Sequence, residues 1–201
     1  MIRVVSAVLL AVLSAAALAQ APAGPPVRIR GVVEKLDGQN MTVKARDGQS
    51  MSVKLAENYT VMGIAKASLA DIGSGKFIGT TTVGERDGAL VAEEVHIFAE
   101  SLRGLGEGHY AWDLRPNSMM TNANVATIVS VGNDRVLTVQ YKGGEKKILV
   151  PAAAIIVSFA PTERSELKVG APIFVTAQRQ PDGSLTAGRV NVGLNGLVPP
   201  M

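Results

Sequence analysis

The chain has 201 residues, 47% of them apolar and 18% charged, enough for one globular domain or two small ones and too apolar for a large disordered part. A formal charge of +3 is too small to imply nucleic acid or an acidic membrane as partner, and the absence of cysteine excludes disulfides, thiolate nucleophiles and Cys-bound zinc. The apolar share is Val, Ala and Leu, and 21 Gly with 10 Pro favour short strands and tight turns, so the chain reads as all-β.

In chain order, Met1-Ile2-Arg3 precedes an apolar run from Val4 and a small-x-small end at Ala17-Leu18-Ala19. This is the layout of a secretory signal, residues 1-19, with cleavage expected before Gln20, and it predicts a periplasmic or secreted protein. No later stretch is long and apolar enough to span a bilayer, so no membrane span is expected after cleavage. Residues 20-26 are a Pro-rich tail, where missing donors and fixed φ angles oppose both helix and ladder.

From Val27 the apolar residues alternate with period two. Short runs around Val27 to Leu36, Met41 to Val43 and Met51 to Leu55, separated by Asp37-Gly38 and Asp47-Gly48, predict a three-stranded meander. Ala65 to Ile72 suits a helical turn or two before Gly73 and Gly75, and Lys76 to Val83 with Ala89 to Phe98 predicts a hairpin turning at Asp87-Gly88. The same order then returns. A shift of 96 places Val32-Val33 on Ile128-Val129 and Thr42-Val43 on Thr138-Val139, and a shift of 95 places Gly75 on Gly170, Asp87-Gly88 on Asp182-Gly183 and Val95 on Val190. A nearly constant offset over so many turns and strands marks an internal repeat. The predicted organisation is a first domain at 27-99, a linking segment at 100-123, a second domain at 124-193 and a C-terminal tail at 194-201.

Three strands, a helical turn and two further strands is the order of the OB-fold, a partly open five-stranded barrel, so two tandem OB-like barrels are expected. Gly31-Val32-Val33, the Thr-Val pairs, Leu167-Lys168-Val169-Gly170 and the Asp-Gly-x-Leu-x-Ala runs at Asp87 and Asp182 resemble a family of small OB-like domains of unknown function in bacterial exported proteins. The first repeat departs from it with Ile72-Gly73-Ser74-Gly75, and the second with Thr127 in the place given to Gly31. The resemblance implies structural roles for these positions and brings no catalytic residues. With the central Gly-His-Tyr-Ala-Trp-Asp-Leu stretch, the layout is also similar to proteins labelled "metal ABC transporter permease", although nothing after the signal suits a permease.

The linking segment gathers the rare residues, among them the single Trp. His109 and Asp113 at a spacing of four, with Met119 and Met120, offer imidazole, carboxylate and thioethers, a set that would suit a copper or zinc ion. The competing reading makes Trp112, Met119 and Met120 apolar plugs between the domains, with no cofactor. Gly104, Gly106 and Gly108 lack the following helix that a phosphate loop needs and read as turns. Ser118, His109 and Asp113 form a triad on paper only, without a nucleophile elbow. His96, which falls on Asn191 in the repeat, reads as a polar position near a strand end. Phe77, Phe98, Phe159 and Phe174 fall at core-like positions, which argues against a stacking platform for nucleic acid. The expectation is therefore a soluble, exported, non-enzymatic binding or adaptor protein of the cell envelope. It would contact an envelope protein or small ligand through His109, Tyr110, Trp112, Asp113 and Arg115; the alternative is a periplasmic copper- or zinc-binding protein.

Overall fold

Alternating apolar residues with Gly at the turns give strands wherever the sequence shows period two. The computed structural model describes residues 24–201, and residues 1-19, where the sequence predicts a secretory signal, lie outside the described residues. Twelve strands form one connected sheet: β1 (Val27–Asp37), β2 (Asn40–Ala45), β3 (Ser50–Lys66), β4 (Phe77–Arg86), β5 (Ala89–Phe98), β6 (Gly108–Ala111), β7 (Met119–Val131), β8 (Asp134–Tyr141), β9 (Gly144–Val150), β10 (Ile155–Thr162), β11 (Pro172–Arg179) and β12 (Leu185–Gly193). Among the described residues the only helical elements are four short 3-10 turns, and no helix is long and apolar enough to cross a membrane. The helical turn expected over 65–72 shrinks to Leu69–Asp71, because β3 continues to Lys66 and the Asp71 carboxylate takes both the Ser68 N–H and hydroxyl, at 2.8 and 2.7 Å. Asp87 and Gly88, both at positive φ (53° and 74°), make the two-residue turn that joins β4 to β5.

The strands close into rings, but not within one repeat. β1, β2 and β3 of the first repeat close with β11 and β12 of the second, through β1–β11 antiparallel and β3–β12 parallel pairing. In the same way β7, β8 and β9 close with β4 and β5, through β4–β7 antiparallel and β5–β9 parallel pairing. The expected tandem arrangement is thus replaced by an exchange: each ring takes three strands from one repeat and two from the other. The core of the first ring joins Ile29, Val33 and Leu55 to Ile173, Val190 and Val192, and that of the second joins Ile78, Val95 and Ile97 to Ala123, Leu137 and Ile148.

What carries the chain across is the length of β3. Its first half pairs with β2, and its second half pairs antiparallel with β10, with Ile64 opposite Phe159. The offset of 95 carries Ile64 onto Phe159 itself, and Met62 and Lys66 onto Val157 and Pro161, which are also paired partners. A pseudo-twofold axis therefore passes through the Ile64–Phe159 pair. The same symmetry corrects the alignment of the opening strands. β11 faces β1 with Pro172 opposite Val32, and β4 faces β7 with Phe77 opposite Asn124, so β1 and β7 correspond at a shift of 92 rather than 96. Val33 matches Val125, each just before a bulge, and the β7–β8 hairpin is longer than the β1–β2 hairpin. The residue corresponding to Gly31 is accordingly Ala123, not Thr127; a Cβ at Gly31 would lie 2.1 Å from the Lys44 carbonyl oxygen.

Strand exchange makes neither half self-sufficient. Fragments 20–103 and 104–201, expressed separately, are expected to be unfolded or to self-associate, and to give a dispersed amide NMR spectrum only when mixed. A monomeric, well-dispersed fragment on its own would contradict the exchange.

Candidate functional site

Eight strands run side by side in the order β6-β7-β4-β5-β10-β3-β12-β11 across the pseudo-twofold axis. Strand side chains alternate between faces, so each strand feeds a ring core with one set and leaves a second set on the opposite face. On β5 the ring side takes Val95 and Ile97 while Glu94, His96 and Phe98 face the other way; on β11 Ile173 and Val175 face the ring and Phe174 and Thr176 do not. The second face collects Ile64, Phe77, Phe98, Val157, Phe159 and Phe174 into one cluster, with Leu102, Leu105 and Trp112 of the linking segment packed on it. Phe98 lies 5.4 Å from Phe77 and 5.5 Å from Phe159, ring centre to ring centre, in tilted arrangements. The four phenylalanines come from four strands and both repeats, which is why their joint packing is invisible in the sequence.

The cluster does not fill its space. A cavity of about 650 Å³ remains between the sheet face and the linking segment, within the usual range for small-molecule sites. Its walls are Phe98, Phe159, Phe174 and Trp112; toward one end stand Arg28, Thr176 and Arg189, and toward the other His96, Met120 and Asn122. The ends differ because the duplicated frame carries different residues at matched positions. Arg28 corresponds to Met120, Arg189 to Glu94, Asn191 to His96 and Phe174 to Gly79. Gly79 is required where it stands, since a Cβ there would come within 2.5 Å of Asn122 Oδ1 and 3.3 Å of His96 Nδ1.

Several polar groups on this face are buried without a hydrogen-bond partner: Asn122 Oδ1, Trp112 Nε1, and the Nε atoms of Arg28 and Arg189. Leaving such groups unpaired is costly, and these four belong to side chains that line one cavity. His96 is 2% exposed and Glu94 1%. The His96 ring is stacked on Phe159 at 5.1 Å, and its Nε2 lies against the Glu94 carboxylate without the alignment of a hydrogen bond.

The linking segment roofs the cavity through specific ties. The Asn122 amide donates to the carbonyls of Leu105 (3.1 Å) and Gly106 (3.2 Å) and to the Tyr110 hydroxyl (3.3 Å). Burial pushes the Tyr110 phenol up, so it stays neutral at physiological pH. Pairing of β6 with β7 sets Tyr110 opposite Met120 and His109 opposite Thr121. Alternation then sends Tyr110, Trp112 and Met120 toward the cavity and His109 away from it, where its Nδ1 meets Thr121 Oγ1 at 2.8 Å. Burial first, and the nearby Lys146 charge second, hold the His109 imidazole below its ordinary pKa. Ser118 locks the turn between β6 and β7 by donating to the carbonyls of Trp112 and Arg115, so its hydroxyl is committed to the backbone. Arg115 pairs with Glu93 on β5.

Asp113 ties the roof to β1. It contacts Arg30 at 2.7 Å and Arg28 at 3.4 Å, while the Arg28 guanidinium lies 4.1 Å over the Trp112 ring and Phe174 meets that ring edge-on at 6.2 Å. Burial works to raise the Asp113 carboxyl, but the Arg30 hydrogen bond and the two arginine charges outweigh it and hold it below its ordinary value. Of the residues considered for a metal, His109 and Met120 thus face opposite ways, Asp113 is held by arginines and Met119 is half-buried. Among the described residues no three His, Asp or Glu side chains gather as a metal would require. Sequence reasoning missed Arg28, His96, Asn122 and Arg189 as wall residues; the one available signal, at the offset of 95, was Glu94 against Arg189 and His96 against Asn191. No protein-family model, curated protein or solved structure matches the chain.

A lowered Asp113 pKa means that its contribution is fully present above the unfolded value, about 3.9, and is lost as pH falls through the folded value. Asp113→Asn is expected to destabilise the protein at pH 7 by about 0.5–1 kcal/mol, since the pair is partly solvated. In urea melts followed by Trp112 emission the difference between variant and wild type should shrink below about pH 4. A gap that stays constant from pH 7 to pH 3 would assign the effect to something other than the ion pair.

Proposed function

We propose that this is an exported, non-enzymatic protein that binds a small, mainly apolar molecule in the cavity beneath its linking segment. The observation that carries the reading is an aromatic-walled cavity of about 650 Å³ with the polar side chains of Arg28, Asn122 and Arg189 in its lining. Such a lining gives affinity through apolar burial and orientation through a few fixed polar groups, and the strand frame behind it holds both in place. The basic start, apolar run and Ala17-Leu18-Ala19 support export and a periplasmic or secreted location. In each ring a three-stranded meander is closed by a two-stranded hairpin, a plan that favours the OB-like assignment and the suggested kinship with OB-like exported domains.

The single tryptophan stands in the cavity wall and reports on occupancy. Titrating the mature protein with the neutral apolar dye N-phenyl-1-naphthylamine should produce saturable dye fluorescence with quenching of Trp112 by energy transfer, at about one dye per chain. Dye fluorescence that rises without saturation, or that leaves Trp112 emission unchanged, would overturn the reading.

A further inference from the structure

We infer that the ligand of this cavity is an organic anion, an aromatic carboxylate held with its acid group against Arg189 and its ring among the phenylalanines. This rests on the cavity being a binding site and adds the chemical class of what it binds. Charge is the first argument. Two arginines line the cavity and no aspartate or glutamate does. They are not equivalent. Arg28 is engaged on two sides, by Asp113 at 3.4 Å and by the Trp112 ring. Among the described residues Arg189 has no carboxylate within ion-pairing distance and no hydrogen-bond acceptor, and its Nε is buried. Arg189 is half-buried, and a carboxylate is the group whose geometry the parallel N–H donors of a guanidinium fit.

Position is the second argument. Thr176 and Gly188, beside Arg189, are exposed, whereas His96, Met120 and Asn122 are buried, so the arginine stands at the mouth and these three residues at the floor. A ligand entering with its apolar body first keeps its charge at the rim, where desolvation costs least, and places its ring between Phe98, Phe159 and Phe174. Asn122, 7% exposed, closes the floor beyond the rings, its amide donated to the roof. The repeat gives the third argument. The position that holds Arg189 in one half holds Glu94 in the other, and Glu94 is occupied by His96. The frame therefore presents its free cation at one end only, and the bound molecule takes a single orientation.

The test compares 4-(4-hydroxyphenyl)butyrate with its uncharged carboxamide on the mature protein, by calorimetry and Trp112 emission at pH 7. The carboxylate should bind at least about tenfold more tightly than the amide, as one charge-assisted contact implies. Arg189→Gln should remove that preference, bringing acid and amide to similar affinities. Equal binding of acid and amide to the wild-type protein, or tighter binding of the amide, overturns the anion assignment without touching the cavity reading; that comparison needs no variant, so a poorly folded Arg189→Gln does not obscure it. Parallel loss of both ligands in a folded Arg189→Gln also overturns it. If neither compound binds while the neutral dye does, the assignment fails alone; if nothing binds, both readings fail.

Discussion

Everything in this molecule depends on one pairing, the antiparallel contact between the second half of β3 and β10 across the Ile64–Phe159 pair. Were β3 to stop at Lys54, where its pairing with β2 ends, each repeat would have to turn back and close on its own hairpin. By running on to Lys66 it carries the chain over the axis, places β4 and β5 beside β7 and β9, and leaves β11 and β12 to complete the ring of β1 to β3. A repeat of about 70 residues without disulfides has little core of its own. Exchange joins two small cores through one continuous sheet and buries both faces of the strands at the axis.

That second buried face explains the cavity. The ring side of each central strand is packed with Val, Ile and Ala from both repeats. The other side would be exposed in a single repeat, and here it is covered by the linking segment, which is present once, together with Leu197 and Met201 near the C-terminus. A roof without a symmetry mate cannot fit both halves of a duplicated floor equally. Divergence at matched positions, with Gly79 against Phe174 and Gly193 against Phe98, replaces the symmetric surface by a lopsided one. The roof is fixed at its inner side by the Asn122 amide and at its outer side by Asp113 between Arg28 and Arg30. The segment therefore combines packing, through Leu102, Leu105 and Trp112, with polar ties that set where its aromatic rings stand.

Much of the fold was legible because strand periodicity and turn chemistry are local. Asp87-Gly88 is a turn from its own backbone requirements, and Val190 and Val192 are core because they alternate with Arg189 and Asn191. The candidate site was legible only in part. The rarity of Trp112 and Tyr110 drew attention to the linking segment, and both stand in the cavity wall. His109, equally conspicuous, faces away, because a one-residue step along β6 changes the face and no property of the sequence sets that register. His96 read as a bland strand-end residue, and its burial against Phe159 and Glu94 became evident only with β10 laid beside β5.

By itself the sequence determined the all-β character, the turns, the repeat and the segment that occurs once, because each follows from neighbours along the chain or from self-similarity. Tertiary structure alone decided which hairpin closes which ring, how β1 and β7 correspond, and what the four phenylalanines enclose. The physical reason is the same in each case. Backbone donors and acceptors on a strand edge are identical from one residue to the next, so partner choice is set by the whole arrangement of apolar faces and not by any local signal. The cavity with its unpaired Arg189 exists only where strands of both repeats meet under one roof.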